Sequence, residues 1–315
     1  MLASVNSDRL DATTLAATAI AIVTWSSAFA AIAYGLEVFT PPELSLLRFL
    51  IASSILAVPV ASGAIKLPPL RDWPAIAALG LSGITLYQLS LGYAMTRIPV
   101  GAAAVVIALA PGVTAALAAL RLGERISRGT LAGLAVAFGG VVLIAIGSGS
   151  ELRFEPMTLL ALVAVFATSV YFVFQKPLLA RTSPVGFTVA SIFAGTLGLV
   201  PFGLDLPAKI AAAPASQLWS AVYLGIAPTI VGYFSWNFAL SRAPAAKVSS
   251  FLYVQPLVAS AIAWLWLGQT PSLLTAIGGS LAIGGVVLTA GSSRPAAVVR
   301  TRADAPLPPR CCAQH

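Results

Sequence analysis

Displaced by 145 residues, this chain falls on itself. Arg97 lands on Arg242, Pro99 on Pro244, Pro111 on Pro256, Leu122-Gly123 on Leu267-Gly268, Ser127 on Ser272, Thr130 on Thr275 and Gly133 on Gly278. The run Gly139-Gly140-Val141-Val142-Leu143 then meets Gly284-Gly285-Val286-Val287-Leu288 without a gap. Coincidences of Ala, Leu and Val are common in an apolar chain, but prolines, glycines and an arginine agreeing in one register are not. The agreement marks an internal duplication, which constrains the fold more than any single motif does. Upstream, Pro42 and Pro59 meet Pro184 and Pro201 at an offset of 142, whereas Leu79-Gly80 meets Leu224-Gly225 at 145. A three-residue insertion is therefore expected in the loop of Asp205 and Lys209, which should tolerate change.

Each copy must be a membrane unit. The 315 residues are 58% hydrophobic and 9% charged, whereas soluble domains carry about a quarter charged residues. Apolar runs long enough to cross a bilayer as helix, which takes roughly 20 residues, occupy 13–35, 43–62, 73–95, 99–120, 129–147, 156–175, 184–203, 216–241, 246–268 and 272–291. The first run is longer than the core of a cleavable signal and lacks its basic leader, since Arg9 is balanced by Asp8 and Asp11. Pro41-Pro42, Leu67-Pro68-Pro69 and Ser183-Pro184 supply breakers at the expected ends. Cys311 and Cys312, beside His315 in the tail, are the only cysteines and offer no internal disulfide framework.

Charge sets the threading. With the N-terminus inside, Arg9, Lys66, Arg71, Arg121, Arg125, Arg128, Lys176, Arg181, Arg242, Lys247, Arg294, Arg300, Arg302 and Arg310 fall on the inner side. Arg97, Arg153 and Lys209 fall outside, and Arg48 stays within a span. This is the positive-inside bias, so the net charge of +8 reports orientation rather than nucleic-acid binding. Five spans per copy is an odd number, so the second copy enters the membrane from the opposite face. The expected fold is all-α: ten transmembrane helices in two inverted five-helix repeats. Its divisions are a cytoplasmic segment 1–12, repeats over 13–147 and 156–291, and a basic cytoplasmic tail 292–315. Such inversion is a recurring design of secondary transporters, whose halves rock about a midplane site.

Several stretches resemble one family. Trp25-Ser26-Ser27-Ala28-Phe29, Leu47-Arg48-Phe49, Gly92-Tyr93-Ala94, Pro99-Val100-Gly101-Ala102-Ala103, Leu122-Gly123-Glu124-Arg125 and Gly139-Gly140-Val141-Val142-Leu143 are similar to EamA proteins of the drug/metabolite transporter superfamily. The resemblance covers residues 13 to 291. It implies ten helices in two inverted repeats and transport of small metabolites, often efflux of amino acids or related compounds. One departure is Leu267-Gly268-Gln269, where the family often has Leu-Gly-Glu.

Candidate transport residues lie where the halves differ. Ala108 and Ala110 of the fourth span correspond to Tyr253 and Gln255 of the ninth. Tyr87, Gln88, Leu91 and Gly92 of the third correspond to Gly232, Tyr233, Trp236 and Asn237 of the eighth. A duplicated scaffold with an unduplicated polar lining suits one asymmetric small molecule. Tyr233, Trp236 and Asn237 stand three and four apart, hence on one helix face. With Tyr87 and Gln88, Trp25 of the first span and Tyr171 or Gln175 of the sixth, they form the expected substrate pocket, joined by Tyr253 and Gln255. Buried amides are costly unless bonded, so these should face the bundle interior. Trp73, Trp219, Trp264 and Trp266, near span ends, fit an interfacial belt instead.

Prolines inside spans free backbone groups. Pro111, Pro228 and Pro256 deprive the carbonyls of Ile107, Leu224 and Leu252 of their helical donor. Pro111 and Pro256, matched across the repeat, are candidate hinges. Arg48 is a candidate charge partner for a substrate carboxylate or a helix C-terminus, or an anchor that reaches toward Glu43. The pairs Gly129–Gly133 and Gly278–Ala282 suit close helix packing.

No phosphate-binding loop and no catalytic or metal-ligating cluster is legible, so neither an enzyme nor a cofactor is expected. No metal site is assigned. No Asp or Glu sits mid-span to carry protons. The reading is an inner-membrane secondary transporter, an exporter of amino acids or related metabolites acting by alternating access, with both termini cytoplasmic. Its alternatives are a drug, sugar or nucleoside carrier of the same superfamily and a non-transporting membrane scaffold. The expected partners are a small-molecule substrate, the lipid bilayer and a second copy in a homodimer, with nucleic acid excluded.

Overall fold

The computed structural model describes residues 10–97, 100–124, 126–147, 156–267 and 272–292, and every regular element among them is helical. Ten stretches are long and apolar enough to span a membrane: Ala12–Gly35, Pro41–Ala61, Leu70–Met95, Val105–Leu122, Arg128–Gly147, Thr158–Leu179, Pro184–Phe202, Ala215–Arg242, Ala245–Ile262 and Leu273–Gly291. They are numbered in chain order below. A short helix, Leu206–Ala212, occupies the loop of the three-residue insertion.

Local chemistry sets the ends. Asp11 accepts the amide of Thr14 at 3.0 Å and caps the first span. Glu43 accepts the amide of Thr40 at 2.7 Å ahead of the second, whose first turn holds Pro41 and Pro42. Ser183 caps the seventh through the amide of Gly186 at 2.9 Å, with Pro184 next to it. Each device supplies an acceptor to an amide that has no partner within the helix, or removes that amide altogether.

Four spans are interrupted well inside their length, and those interruptions obey the duplication. The third is α-helical over Trp73–Gly80 and Tyr87–Met95 with a wide π-turn at Leu81–Leu86 between them. The eighth has the same plan: Ala215–Leu224, a π-turn at Gly225–Gly232, then Tyr233–Arg242. In the fourth, helix Val100–Ile107 stops and a new one starts at Ala110, one residue before Pro111. In the ninth, Ala245–Ser250 passes through a 3-10 turn, Phe251–Val254, and restarts at Gln255, one residue before Pro256. The causes differ. Pro228 breaks the eighth, whereas at Gly83 in the third a side-chain methyl would run into the ring of Tyr171.

The two halves interlock. The first and second spans pack on the eighth, and the sixth and seventh pack on the third, so each π-turned helix is clasped by two helices of the other half. The fifth and tenth lie against each other at backbone contact distance. A methyl added at Gly140 would lie 2.5 Å from the carbonyl oxygen of Gly278, and one at Gly285 would lie 2.5 Å from that of Gly133. As numbers rise along the fifth they fall along the tenth, so these equivalent helices run antiparallel. Small residues permit this approach, and in lipid it is dispersion between close backbones that holds such helices together. Gly133 and Gly278 both lie in this contact, as the small-residue pattern predicts.

Ion pairs also join the halves. Among the described residues, Arg242 meets Asp11 at 2.8 Å, Arg181 meets Asp72 at 2.6 Å and Lys176 meets Glu124 at 3.7 Å. Every one lies at the end of the bundle where the first span begins.

Candidate functional site

The eighth span carries the centre. Pro228 has no N–H for the carbonyl of Leu224, and the hydroxyl of the next residue, Thr229, donates to that carbonyl at 2.8 Å instead. Thr229 in turn accepts from Nε of Arg48 at 3.0 Å. A run of donors thus links the second span to the gap that the proline opens. On the other face of the turn, the carbonyl of Pro228 accepts the indole N–H of Trp25 at 2.9 Å. Thr229 was not among the residues singled out from sequence. A hydroxyl directly after a mid-span proline was the available signal.

Aromatic rings line the space beside this turn. Trp25 stands edge-on to Tyr233 with centroids 5.7 Å apart and lies 5.0 Å from Trp236. Phe49 meets Tyr233 at 6.2 Å, and the guanidinium of Arg48 lies over the Phe49 ring at 5.2 Å. The side chains of Tyr87 and Tyr233 are near enough to Arg48 to interact with its charge. Phe49 too was missed as a site residue, although it adjoins Arg48 in the Leu47-Arg48-Phe49 motif.

Behind the rings lies a sealed polar layer. Asn237, 0% exposed, donates from Nδ2 to the hydroxyl of Tyr171 at 3.2 Å and to Thr188 at 2.9 Å. Its Oδ1 and the indole N–H of the equally buried Trp236 have no hydrogen-bond partner. Tyr171 is 1% exposed and packs on Tyr233 at 6.4 Å. Gln175, at the far end of the sixth span, is buried with both amide atoms unpartnered. Asn237 thereby ties the eighth span to the sixth and seventh.

Some of the residues expected to line a pocket are brought together and others are not. Trp25, Tyr233, Phe49 and Arg48 stand in one cluster, with Tyr87 near enough to act on the charge of Arg48 and Gln88 buried next to Tyr87. Gln255 is half-buried beside the first span, and its carbonyl accepts from Ser26 at 3.2 Å. Tyr253 lies apart. It is 2% exposed, in a cluster that includes its repeat counterpart Ala108 with Ala115, Leu134, Ala137, Val141 and Val286. Pro111 and Pro256 stand at the restarts of their helices, Pro111 buried and Pro256 half-buried. Arg48 does not reach Glu43, whose carboxylate is held at the N-terminus of the second span, and turns inward to the eighth.

Comparison with known proteins fits this architecture. The profile of the EamA-like transporter family matches the chain twice, over residues 13–146 and 156–291. The chain belongs to that family. Among its EamA relatives, the "Probable terminal-alkyne amino-acid exporter" of Streptantibioticus cattleyicolor is 38% identical over 85% of this chain and 90% of its own length. The "Uncharacterized transporter YdfC" of Bacillus subtilis is 35% identical over 84% and 87%. The "Probable amino-acid metabolite efflux pump" of Salmonella typhimurium is 25% identical over 85% and 92%. A solved structure with a TM-score of 0.73 and 23% identity, covering 89% of this chain and 98% of its own, shares the fold. This EamA chain is a multi-pass inner-membrane transporter and not an enzyme.

Proposed function

We propose that this transporter exports amino acids or closely related polar metabolites by alternating access between two inverted repeats, residues 13–147 and 156–291, with both termini cytoplasmic. The observation that carries the reading is the Trp25–Arg48–Tyr87–Tyr233 group beside the π-turn of the eighth span. It offers aromatic walls, hydroxyls and one guanidinium in a space that lipid-facing helices would not provide. The antiparallel contact of the equivalent fifth and tenth spans supports inversion, since a two-fold axis in the membrane plane relates helices in that manner. The positive-inside bias supports the placement of the termini.

Motion has a physical basis in the four interruptions. A helix without continuous hydrogen bonding at mid-span bends there at low cost, and equivalent breaks in both halves let either end open. Pro111 and Pro256 serve as hinges. The ion pairs of Asp11, Asp72 and Glu124 hold one end together and part when that end opens.

Counterflow in proteoliposomes tests the function. Vesicles preloaded with unlabelled amino acids, sugars or nucleosides should transiently accumulate labelled solute only within the amino-acid set. Alanine at Tyr233 or Gln255 should slow that exchange at normal protein levels. Accumulation driven by sugars or nucleosides alone would replace the amino-acid reading, and unsaturable equilibration would replace the carrier with a channel.

A further inference from the structure

We infer that Arg48 is the anion-binding residue of this transport site and that the exported substrates carry a free carboxylate, held by the outer edge of its guanidinium. The inference rests on the amino-acid reading above and deepens it.

Arg48 is 5% exposed, seven residues into the second span, and turns toward Thr229 in the middle of the eighth. An arginine stays ionised at any accessible pH, so its burial within a membrane span is costly unless a counter-charge or a ring of dipoles offsets it. Among the described residues no carboxylate pairs with it. Lys176, also largely buried, has Glu124. Among the described residues Lys176 is thus given a counter-ion and Arg48 is given none.

The guanidinium is nevertheless held in place. Nε donates to Thr229, and the plane rests over Phe49. Among the described residues, Nη1 and Nη2 have no hydrogen-bond acceptor. Two parallel N–H groups at the end of an arginine match the two oxygens of a carboxylate, the strongest and most directional pairing open to this side chain. The neighbouring Tyr87 and Tyr233 can add hydroxyl donors, and Trp25 and Tyr233 offer aromatic faces for the apolar part of the molecule. A single guanidinium, with no second cation beside it among the described residues, suits a monocarboxylate better than a phosphorylated polyanion.

A purely structural role for Arg48, pinning the π-turn through Thr229, makes a different prediction, and substrate charge separates the two. Full-length protein in proteoliposomes is assayed by counterflow, with competitors offered in pairs: L-amino acids, propargylglycine among them, against their primary amides, and phenylacetate against phenylacetamide. In wild type the acid should compete at least about tenfold better than its amide, the scale set when a polar site loses its partner. Arg48→Gln should bring that ratio to within about twofold, and Arg48→Lys should restore part of it. A common loss for acid and amide with the ratio unchanged would overturn the inference, as would a wild type indifferent to the carboxylate. Should Arg48→Gln fail to fold, Arg48→Lys carries the test, since it retains the charge and loses the two-pronged geometry. Phenylacetate transported while amino acids are not would retain Arg48 and overturn the amino-acid reading, whereas transport of sugars or nucleosides alone would overturn both.

Discussion

Glu124 holds the N-terminus of the ninth span: Oε1 accepts the amide of Ala245 at 3.0 Å, and Oε2 accepts that of Ala246 at 3.3 Å. The residue comes from the connection between the fourth and fifth spans, so one half of the molecule caps a helix of the other. Its charge complements both the helix terminus and Lys176. This contact is the physical content of the Leu-Gly-Glu motif in the first half. Its counterpart Gln269 lies outside the described residues. Glu124→Ala should lower stability by about 1–2 kcal/mol, the usual worth of a cap, and Glu124→Gln by less because one acceptor remains. Thermal unfolding in detergent measures both, and a midpoint unchanged in Glu124→Ala would contradict the capping role.

Adjacent glycines should respond oppositely. At Gly140 and Gly285 an added methyl would lie 2.5 Å from atoms of the facing helix, whereas at Gly139 and Gly284 it would meet nothing within 4 Å. Alanine at Gly140 or Gly285 should force the fifth and tenth spans apart and cost on the order of 2 kcal/mol or more. Alanine at Gly139 or Gly284 should be neutral or stabilise by up to about 1 kcal/mol through helix propensity. Comparing folded yield and melting midpoint across the four variants is sufficient, since the lipid-facing pair controls for composition.

Thr229→Val keeps the shape of the side chain and removes the hydroxyl that serves both Arg48 and the Leu224 carbonyl. Nε of Arg48 then lacks its acceptor and the Leu224 carbonyl loses a donor, the unpaired group costing about 1–3 kcal/mol. Stability should fall by roughly that amount, and Thr229→Ser should recover most of it. Equal melting of the Val and Ser variants would show that the hydroxyl does not matter.

Trp25→Phe retains a ring against Tyr233 and Trp236 and loses the donor to the Pro228 carbonyl. The π-turn should become less ordered, with a loss of about 1 kcal/mol and slower counterflow. Hydrogen exchange along the eighth span should rise around Gly225–Gly232. Exchange there at the wild-type rate would break the proposed link.

Asp11 brings a pH dependence. Hydrogen bonds from Thr14 and Thr13 hold its carboxyl below the usual range, and Arg242 adds to them. A carboxyl depressed in the folded state stabilises above its unfolded pKa and ceases to do so as pH falls through the folded value. Asp11→Asn should therefore resemble wild type more closely under strongly acid conditions than at neutral pH. Melting midpoints measured across pH would reject this if the difference between the two proteins grew with acidity.

The ten spans and the duplication are properties of the sequence, because bilayer thickness demands about 20 apolar residues per helix and because prolines and glycines preserve register. Pro111 and Pro256 mark their helix breaks for the same local reason: a missing N–H is a fact of the chain. What the chain alone does not specify is who answers a freed group. Thr229 rather than water serves the Leu224 carbonyl, and Arg48 turns from Glu43 to Thr229, because the second and eighth spans cross there. Tyr253 and Tyr233 look alike as mid-span tyrosines, yet one is buried in an apolar cluster with Ala108 and Val141 and the other stands beside Trp25. The π-turn of the third span has no proline at all and forms where Tyr171 crowds Gly83. Each of these depends on helices distant in sequence, and only their packing decides which polar group meets which.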